Sequence, residues 1–316
     1  MRKFKNLWII MVFVLVFSLV ACSTKDASKP EEVVENVEVE VEKEKLFPFE
    51  FTDFMDREVV LEEEPKRIVS LAPSITELLY ALGAGDRIVG VTDYDNYPPE
   101  VEELPKVGGY KGANVEAITA QNPDLVFASP QAGKEEVEAI ENLGIPVVVL
   151  EARDIEGIYE SIRLLGRITG TEEKGEEIIG EMEARIEEVK EKVEGLPRPD
   201  VFHLLSLNGN WTSGKGTFID ELITIAGGNN VAGDIEGWGQ YSAEEVVNRN
   251  PQVIITSPNA GSVEDIRNAE GFKETAAVKD GNICVLSNDD IIVRASNRII
   301  LGLEEIAKFL HPEVFD

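Results

Sequence analysis

The side chains best suited to meet a ligand are two tryptophans that sit where no core requires them. Trp211, in NGNWTSGKG, and Trp238, in EGWGQYS, fall in Gly- and Asn-rich stretches outside the periodic apolar segments. A large aromatic in a loop next to a strand end offers a broad face to a flat, partly apolar molecule; the competing reading is that it plugs an interface. Residues 209–216, GNWTSGKG, come within one residue of a phosphate-binding loop, with a strand before and a helix after. Gly216 stands where the Mg²⁺-holding hydroxyl belongs. The stretch therefore reads as a strand-to-helix turn whose backbone N–H groups can meet an anionic or amide group. Of two histidines, His203 closes an apolar strand and His311 lies in the terminal LHPE. A zinc or manganese site needs several such ligands with carboxylates, so no metal site is expected and His203 is expected to be a buried, hydrogen-bonded core residue. With no Gly-x-Ser-x-Gly and no Cys/His pairing, no catalytic residue and no catalytic cofactor are expected.

Positioning such loops is the task of a repeated α/β unit. EAITAQNPDLVFASP (116–130) is echoed by EEVVNRNPQVIITSP (244–258), keeping Glu116/Glu244, Asn122/Asn250, Pro123/Pro251 and Ser129/Ser257 in register. Each copy reads as helix, Asn-Pro turn and apolar strand. An earlier pair, RIVSLA before TELLYALGAG and VFHLLSL before DELITIAGG, comes in the same order. Two ordered pairs predict a duplicated α/β lobe, with parallel sheets covered by helices on both faces and a ligand cleft between the lobes. Strands are expected at 67–72, 87–91, 124–129, 146–150, 201–207, 252–257 and 282–286. Between the lobes, Ile178, Met182, Ile186, Val189 and Val193 recur at helical spacing within 171–195. One long, rigid amphipathic helix, roughly 35 Å, should join the lobes and limit closure. The boundaries expected are 46–168 for the first lobe, 169–198 for the backbone helix and 199–316 for the second.

Ahead of the lobes, Arg2, Lys3 and Lys5 precede an apolar run and then Leu19-Val20-Ala21-Cys22. This reads as a signal peptide (1–21) ending in a lipobox, with Cys22 lipidated. Residues 22–45, rich in Glu, Lys, Ser and Val, read as a disordered acidic tether. The protein is therefore expected outside the cytoplasm, on the cell membrane through its lipid alone. A net charge of −30 argues against nucleic acid as a partner. Apart from Cys22 the only cysteine is Cys284, in NICVL, which leaves no intrachain disulfide and points to a buried, inert thiol.

RIVSLAPSITELLYALG, VTDYDNYPPE, VGGYKGANVEAI, NPDLVFAS, NWTSGKGTFIDELITIAGG and RASNRIILGLEEIAKFLHP come in an order that resembles the class III, helical-backbone substrate-binding proteins of ABC importers. The resemblance covers nearly all of 66–312 and is nearest to the cobalamin receptors. It implies a corrinoid ligand, otherwise haem or a ferric siderophore, delivered by a monomer to a permease dimer with its ATPase subunits. Carried over by motif, the ligand would meet Ser74, Tyr94, Tyr97, Tyr110, Trp211, Trp238 and Arg294, with Asp289 or Asp290, here taken as Asp290, as an acceptor. One extra residue before Arg294 departs from the family pattern. The resemblance also implies that Glu116 and Glu244 dock onto arginines of the two permease halves, against the simpler reading that each complements a helix dipole. An extracytoplasmic enzyme or a structural surface lipoprotein is the remote alternative.

Overall fold

Apolar β-branched runs become the strands, and most of them are shorter than the sequence suggests. The structure, a computed structural model, describes residues 46–315; the expected signal peptide, Cys22 and the tether lie outside the described residues. In the first lobe, β1 (Phe49–Thr52) and β2 (Glu58–Leu61) form a hairpin. Then follow β3 (Ile68–Ser70), helix α1 (Pro73–Ala81), β4 (Ile88–Thr92), β5 (Lys106–Gly109), β6 (Gly112–Ala113), α2 (Val115–Ala120), β7 (Leu125–Ala128), α3 (Gly133–Glu141) and β8 (Val147–Val149). These strands make one sheet in the order β6-β5-β4-β3-β7-β8, parallel except for the β5–β6 turn-back. The β1–β2 hairpin and β5–β6 escaped the sequence reading. The hairpin is anchored by buried Asp53, which accepts from Val149 N at 3.1 Å, from Met55 N at 2.9 Å and from the Arg57 guanidinium. Burial works against its charge, but the Arg57 and backbone donors outweigh it and hold the carboxyl below its ordinary value.

Helix α4 (Ile155–Thr169) and the 22-residue α5 (Glu172–Val193) connect the lobes. The second lobe contains β9 (Asp200–Leu204), β10 (Trp211–Ser213), α6 (Phe218–Ile225), β11 (Asn229–Asn230), β12 (Trp238–Gln240), α7 (Ala243–Arg249), β13 (Val253–Thr256), α8 (Val263–Asn268), α9 (Ala276–Asp280), β14 (Ile283–Val285), α10 (Asp290–Val293) and α11 (Ile299–Leu310). Its parallel sheet runs β11-β9-β13-β14, and β10 pairs with β12 as a separate antiparallel ribbon.

The repeat is visible in the backbone. Asn122 and Asn250 both take the left-handed conformation, at φ 48° and 45°, which few residues other than Gly and Asn adopt cheaply. The residue after each proline then clamps the entry of the neighbouring central strand. Asp124 accepts from Lys66 N and Arg67 N, and Gln252 accepts from Asp200 N. Each clamp sets the register of β7 beside β3 and of β13 beside β9.

Alternation along the central strands splits the apolar side chains between layers. Val69, Val126 and Ala128 face an outer core under α2 and α3, and Phe202, Leu204 and Ile254 face a second under α7 and α8. The other faces meet in one continuous inner core that runs from Ile68 and Leu78 through Ile162, Ile178, Met182 and Ile186 to Leu222, Leu303 and Ile306. The apolar stripe of α5 is thus buried within a core common to both lobes, so hinge motion would expose it. The outer face of α5 is nearly all charge, as its spacing predicts.

Candidate functional site

Both copies of the strand-to-helix unit end at the same place. The chain leaving β3 enters α1 at Pro73, and the chain leaving the β9–β10 region enters α6 at Thr217. Thr217 caps α6 by accepting from Asp220 N at 3.2 Å, whereas α1 has no side-chain cap. Ala72, Pro73, Ser74, Gly216, Thr217 and Phe218 all line a cleft of about 790 Å³ between the lobes. Two helix N-termini therefore face one cavity, which favours carbonyl or anionic oxygens there. Ser129 and Gln131 follow β7 into the same wall, and Leu150 to Arg153 follow β8. Ser257, the counterpart of Ser129, is buried and does not line it.

The same cleft is lined by Lys215, Glu236, Trp238 and Arg294. Trp238 is paired across the ribbon with Ser213, whose hydroxyl shares a 3.0 Å hydrogen bond with Nδ1 of buried His203. The tryptophan is thereby tied through two strands to the central sheet while its ring stays 44 % exposed. In a chain of net charge −30 the cleft is unusual: Arg153, Lys215 and Arg294 outnumber Glu151 and Glu236. Arg153 pairs with Glu151 at 2.9 Å and Lys215 with Glu236 at 3.7 Å.

Arg294 has the densest set of partners. It donates to Glu77 Oε1 and Asn96 Oδ1 at 2.8 Å each and to the Tyr94 carbonyl at 3.0 Å, and it pairs with Asp290 at 3.0 Å. Glu77, on α1 and only 2 % exposed, also accepts from Arg298 at 2.7 Å and from the Ser296 hydroxyl at 2.6 Å. The Arg298 guanidinium lies 3.8 Å from the Tyr97 ring centroid. Glu77 and the 94–97 loop belong to the first lobe and residues 290–298 to the second, so the cluster clamps the lobes together at the cleft wall.

Of the residues singled out from sequence, Ser74, Trp238 and Arg294 come together in the cleft. Trp211 lies beside it on β10 but outside its lining, and Asp290 serves the clamp. Tyr94 and Tyr97 are exposed beside that clamp, and Tyr110 is 94 % exposed at the β5–β6 turn. Glu116 and Glu244 sit exposed in the first turns of α2 and α7, and neither forms an ion pair among the described residues. Sequence reasoning missed Glu77, Asn96, Ser296 and Arg298. The available signal was a lone acid in the apolar run ITELLYAL and two arginines in VRASNR. Cys284 is buried, and burial pushes its thiol up to about 12, so it is not a nucleophile.

Residues 68–289 match the periplasmic binding protein family. The chain belongs to it. It is 32 % identical, over its whole length and 99 % of the relative, to an uncharacterized ABC transporter substrate-binding lipoprotein of Bacillus subtilis (strain 168). It is also 32 % identical to the vitamin B12-binding protein of Vibrio campbellii, over 77 % of this chain and 88 % of that one. A periplasmic heme-binding protein of Roseiflexus sp. RS-1, solved in apo form, superposes with a TM-score of 0.71 at 28 % identity, over 78 % of this chain and 98 % of that one. The protein is thus a solute receptor of the ABC-transporter type, and the cleft described above is the place where the two lobes of such a receptor meet.

Proposed function

We propose that this receptor binds a corrinoid between its lobes and delivers it to an ABC permease. The observation that carries the reading is the composition of the cleft. Trp238 and Phe218 supply apolar faces, two helix N-termini supply donors, and the charge balance is slightly positive within a strongly acidic protein. A corrinoid offers a broad apolar ring edged with amides and a phosphate, which suits that mixture. None of the residues lining the cleft is His, Tyr, Met or Cys, the side chains that ligate haem iron. Haem or a ferric siderophore is the second reading, supported by the haem-binding relative and by the three cations of the cleft, which also suit carboxylates. In the proposal the inner core and the Glu77 clamp keep lobe movement small. Residues 46–168 and 199–316 act as the lobes on a 169–198 backbone. Residues 1–21 direct export, and Cys22 and the 22–45 tether hold the body at the membrane.

Titration with cyanocobalamin is expected to quench tryptophan emission at micromolar or lower concentration, with most of the change lost in Trp238→Phe. Absence of both quenching and heat would exclude the corrinoid, and the absorption spectrum of protein purified with its ligand would then separate haem from ferric siderophore. For the partner, Glu116 and Glu244 are proposed to meet arginines on the two permease halves. The double substitution to Ala should leave ligand affinity unchanged and cut uptake at least tenfold. Uptake equal to that of the parent would remove the docking role.

A further inference from the structure

A second concavity, sharing no residue with the cleft, lies where the first turns of α4, the latter half of α5 and the body of α6 converge. It measures about 780 Å³. Its floor is apolar: Ile155, Tyr159 and Ile186 are each at most 9 % exposed. Its walls carry five carboxylates, from Glu156, Glu183, Glu187, Asp220 and Glu221, against one cation, Lys190, which sits 3.6 Å from Glu187. Acidic walls alone are unremarkable in this chain. Tyr159 is what sets the groove apart. It is 6 % exposed, it lines the groove, and its hydroxyl makes no hydrogen bond to any described residue.

The neighbouring acids are unevenly committed. Asp220 accepts from Asn230 at 2.8 Å and Glu156 reaches Arg163 at 3.5 Å. Glu221 spends only Oε2, on Ile155 N at 2.8 Å, and Glu183 forms neither an ion pair nor a hydrogen bond among the described residues. The Tyr159 hydroxyl, the unspent Oε1 of Glu221 and the Glu183 carboxylate line one groove without a partner among the described residues, and the phenol, which stays protonated, can accept through its lone pairs while its O–H faces the carboxylates. The hydrocarbon floor beside it disfavours a bare hydrated metal ion and favours a group that is cationic at one end and apolar at the other. Burial, with neighbouring carboxylates adding to it, holds both the Tyr159 phenol and the Glu221 carboxyl above their ordinary values, the latter despite its hydrogen bond from Ile155 N.

We infer that this groove binds a small organic amine, with its ammonium on Glu221, Glu183 and the Tyr159 hydroxyl and its hydrocarbon arm on Ile155 and Ile186. Because the Ile155–Glu221 hydrogen bond joins α4 of one lobe side to α6 of the other, the bound amine would brace the two from outside the ligand cleft.

The test uses n-hexylammonium chloride as probe, followed by calorimetry and backbone-amide NMR at neutral pH, with hexanol and sodium chloride as controls. Saturable one-to-one binding is expected, with amide shifts concentrated in 155–159, 183–190 and 220–225. Tyr159→Phe should weaken it at least threefold and Glu221→Gln at least tenfold, while cyanocobalamin titration of the cleft stays as in the parent. An equal response to hexanol would reduce the site to its apolar floor. Matching shifts from sodium chloride at the same ionic strength would reduce it to screening of the acidic surface. Saturable binding that neither substitution alters would place the amine elsewhere. Any of these three results overturns the inference.

Discussion

Replacing Glu77 with alanine is expected to lower the unfolding free energy by about 3–5 kcal/mol, the usual effect of removing one partner from a buried charge cluster. The carboxylate is buried, while the guanidiniums of Arg294 and Arg298 show side-chain exposures of 11 % and 13 %. Losing it does not affect the two arginines equally. Arg294 keeps Asp290, Asn96 and the Tyr94 carbonyl, whereas Arg298 keeps only the face of Tyr97. Most of the loss should therefore sit on Arg298, and a Glu77→Ala/Arg298→Met pair should recover part of it in a double-mutant cycle. Glu77→Gln preserves an acceptor for Ser296 and should fall between parent and alanine. Urea unfolding followed by circular dichroism measures the parent and these variants, with the single Arg298→Met included to close the cycle. A Glu77→Ala variant within about 1 kcal/mol of the parent would mean that the clamp is a surface pair in energetic terms. The comparison within the same molecule is Arg185–Glu304, a two-pronged bridge at 2.7 Å whose side chains are both 41 % exposed. Breaking that bridge should cost under about 1 kcal/mol, because solvent screens it.

The clamp also bears on binding. The guanidinium that lines the cleft is held by four acceptors before any ligand arrives. A ligand oxygen that reaches Arg294 finds a donor whose conformational entropy has already been lost in folding, so ordering it on binding costs little. The inner core acts in the same sense, since both lobes pack onto one apolar stripe of α5. Large closure would have to separate that stripe from one of them.

How much of this was legible beforehand follows from the range of each interaction. The repeat was legible because it is local: an Asn-Pro step places a left-handed residue, and the next side chain clamps the adjacent strand. The stripe of α5 was legible because its period is local too. The partner of that stripe was not, since spacing reveals a buried face and says nothing about which lobe buries it. Glu77 was missed for the same reason: its partners lie 217 to 221 residues away, so a lone acid in an apolar run and two arginines in VRASNR give a signal without showing that they meet. Loop aromatics give an ambiguous signal. Trp238 lines the cleft and Tyr97 stacks on Arg298, yet both read in sequence as large rings in turns. The β1–β2 hairpin and the two-residue β6 lacked any periodic length to detect.

Acid is the second large perturbation, and its effect centres on His203. Enclosed in the central sheet, this imidazole is pushed down to about 4 by burial, against 6.5 for the free side chain. Below the unfolded value the unfolded chain binds a proton that the folded chain refuses, so unfolding gains on folding as pH drops. The contribution is complete above pH 6.5 and is lost as pH falls through 4; the 2.5-unit difference corresponds to about 3 kcal/mol. Other groups act elsewhere or oppose it. Asp53, Glu64 and Asp234 are held below their ordinary values, so their losses come at the acid end of the range and beyond. Glu221 is held above its ordinary value and pulls the other way. Urea midpoints taken at pH 7, 5.5 and 4.5 should fall steadily for the parent. They should fall much less for His203→Gln, which has no proton to take up. Equal losses in the two proteins would assign the acid response to carboxylates. The hydrogen bond between Nδ1 of His203 and the Ser213 hydroxyl survives protonation, since the hydroxyl donates to the bare nitrogen and accepts from the protonated one, so the acid loss comes from burying the charge and not from this contact.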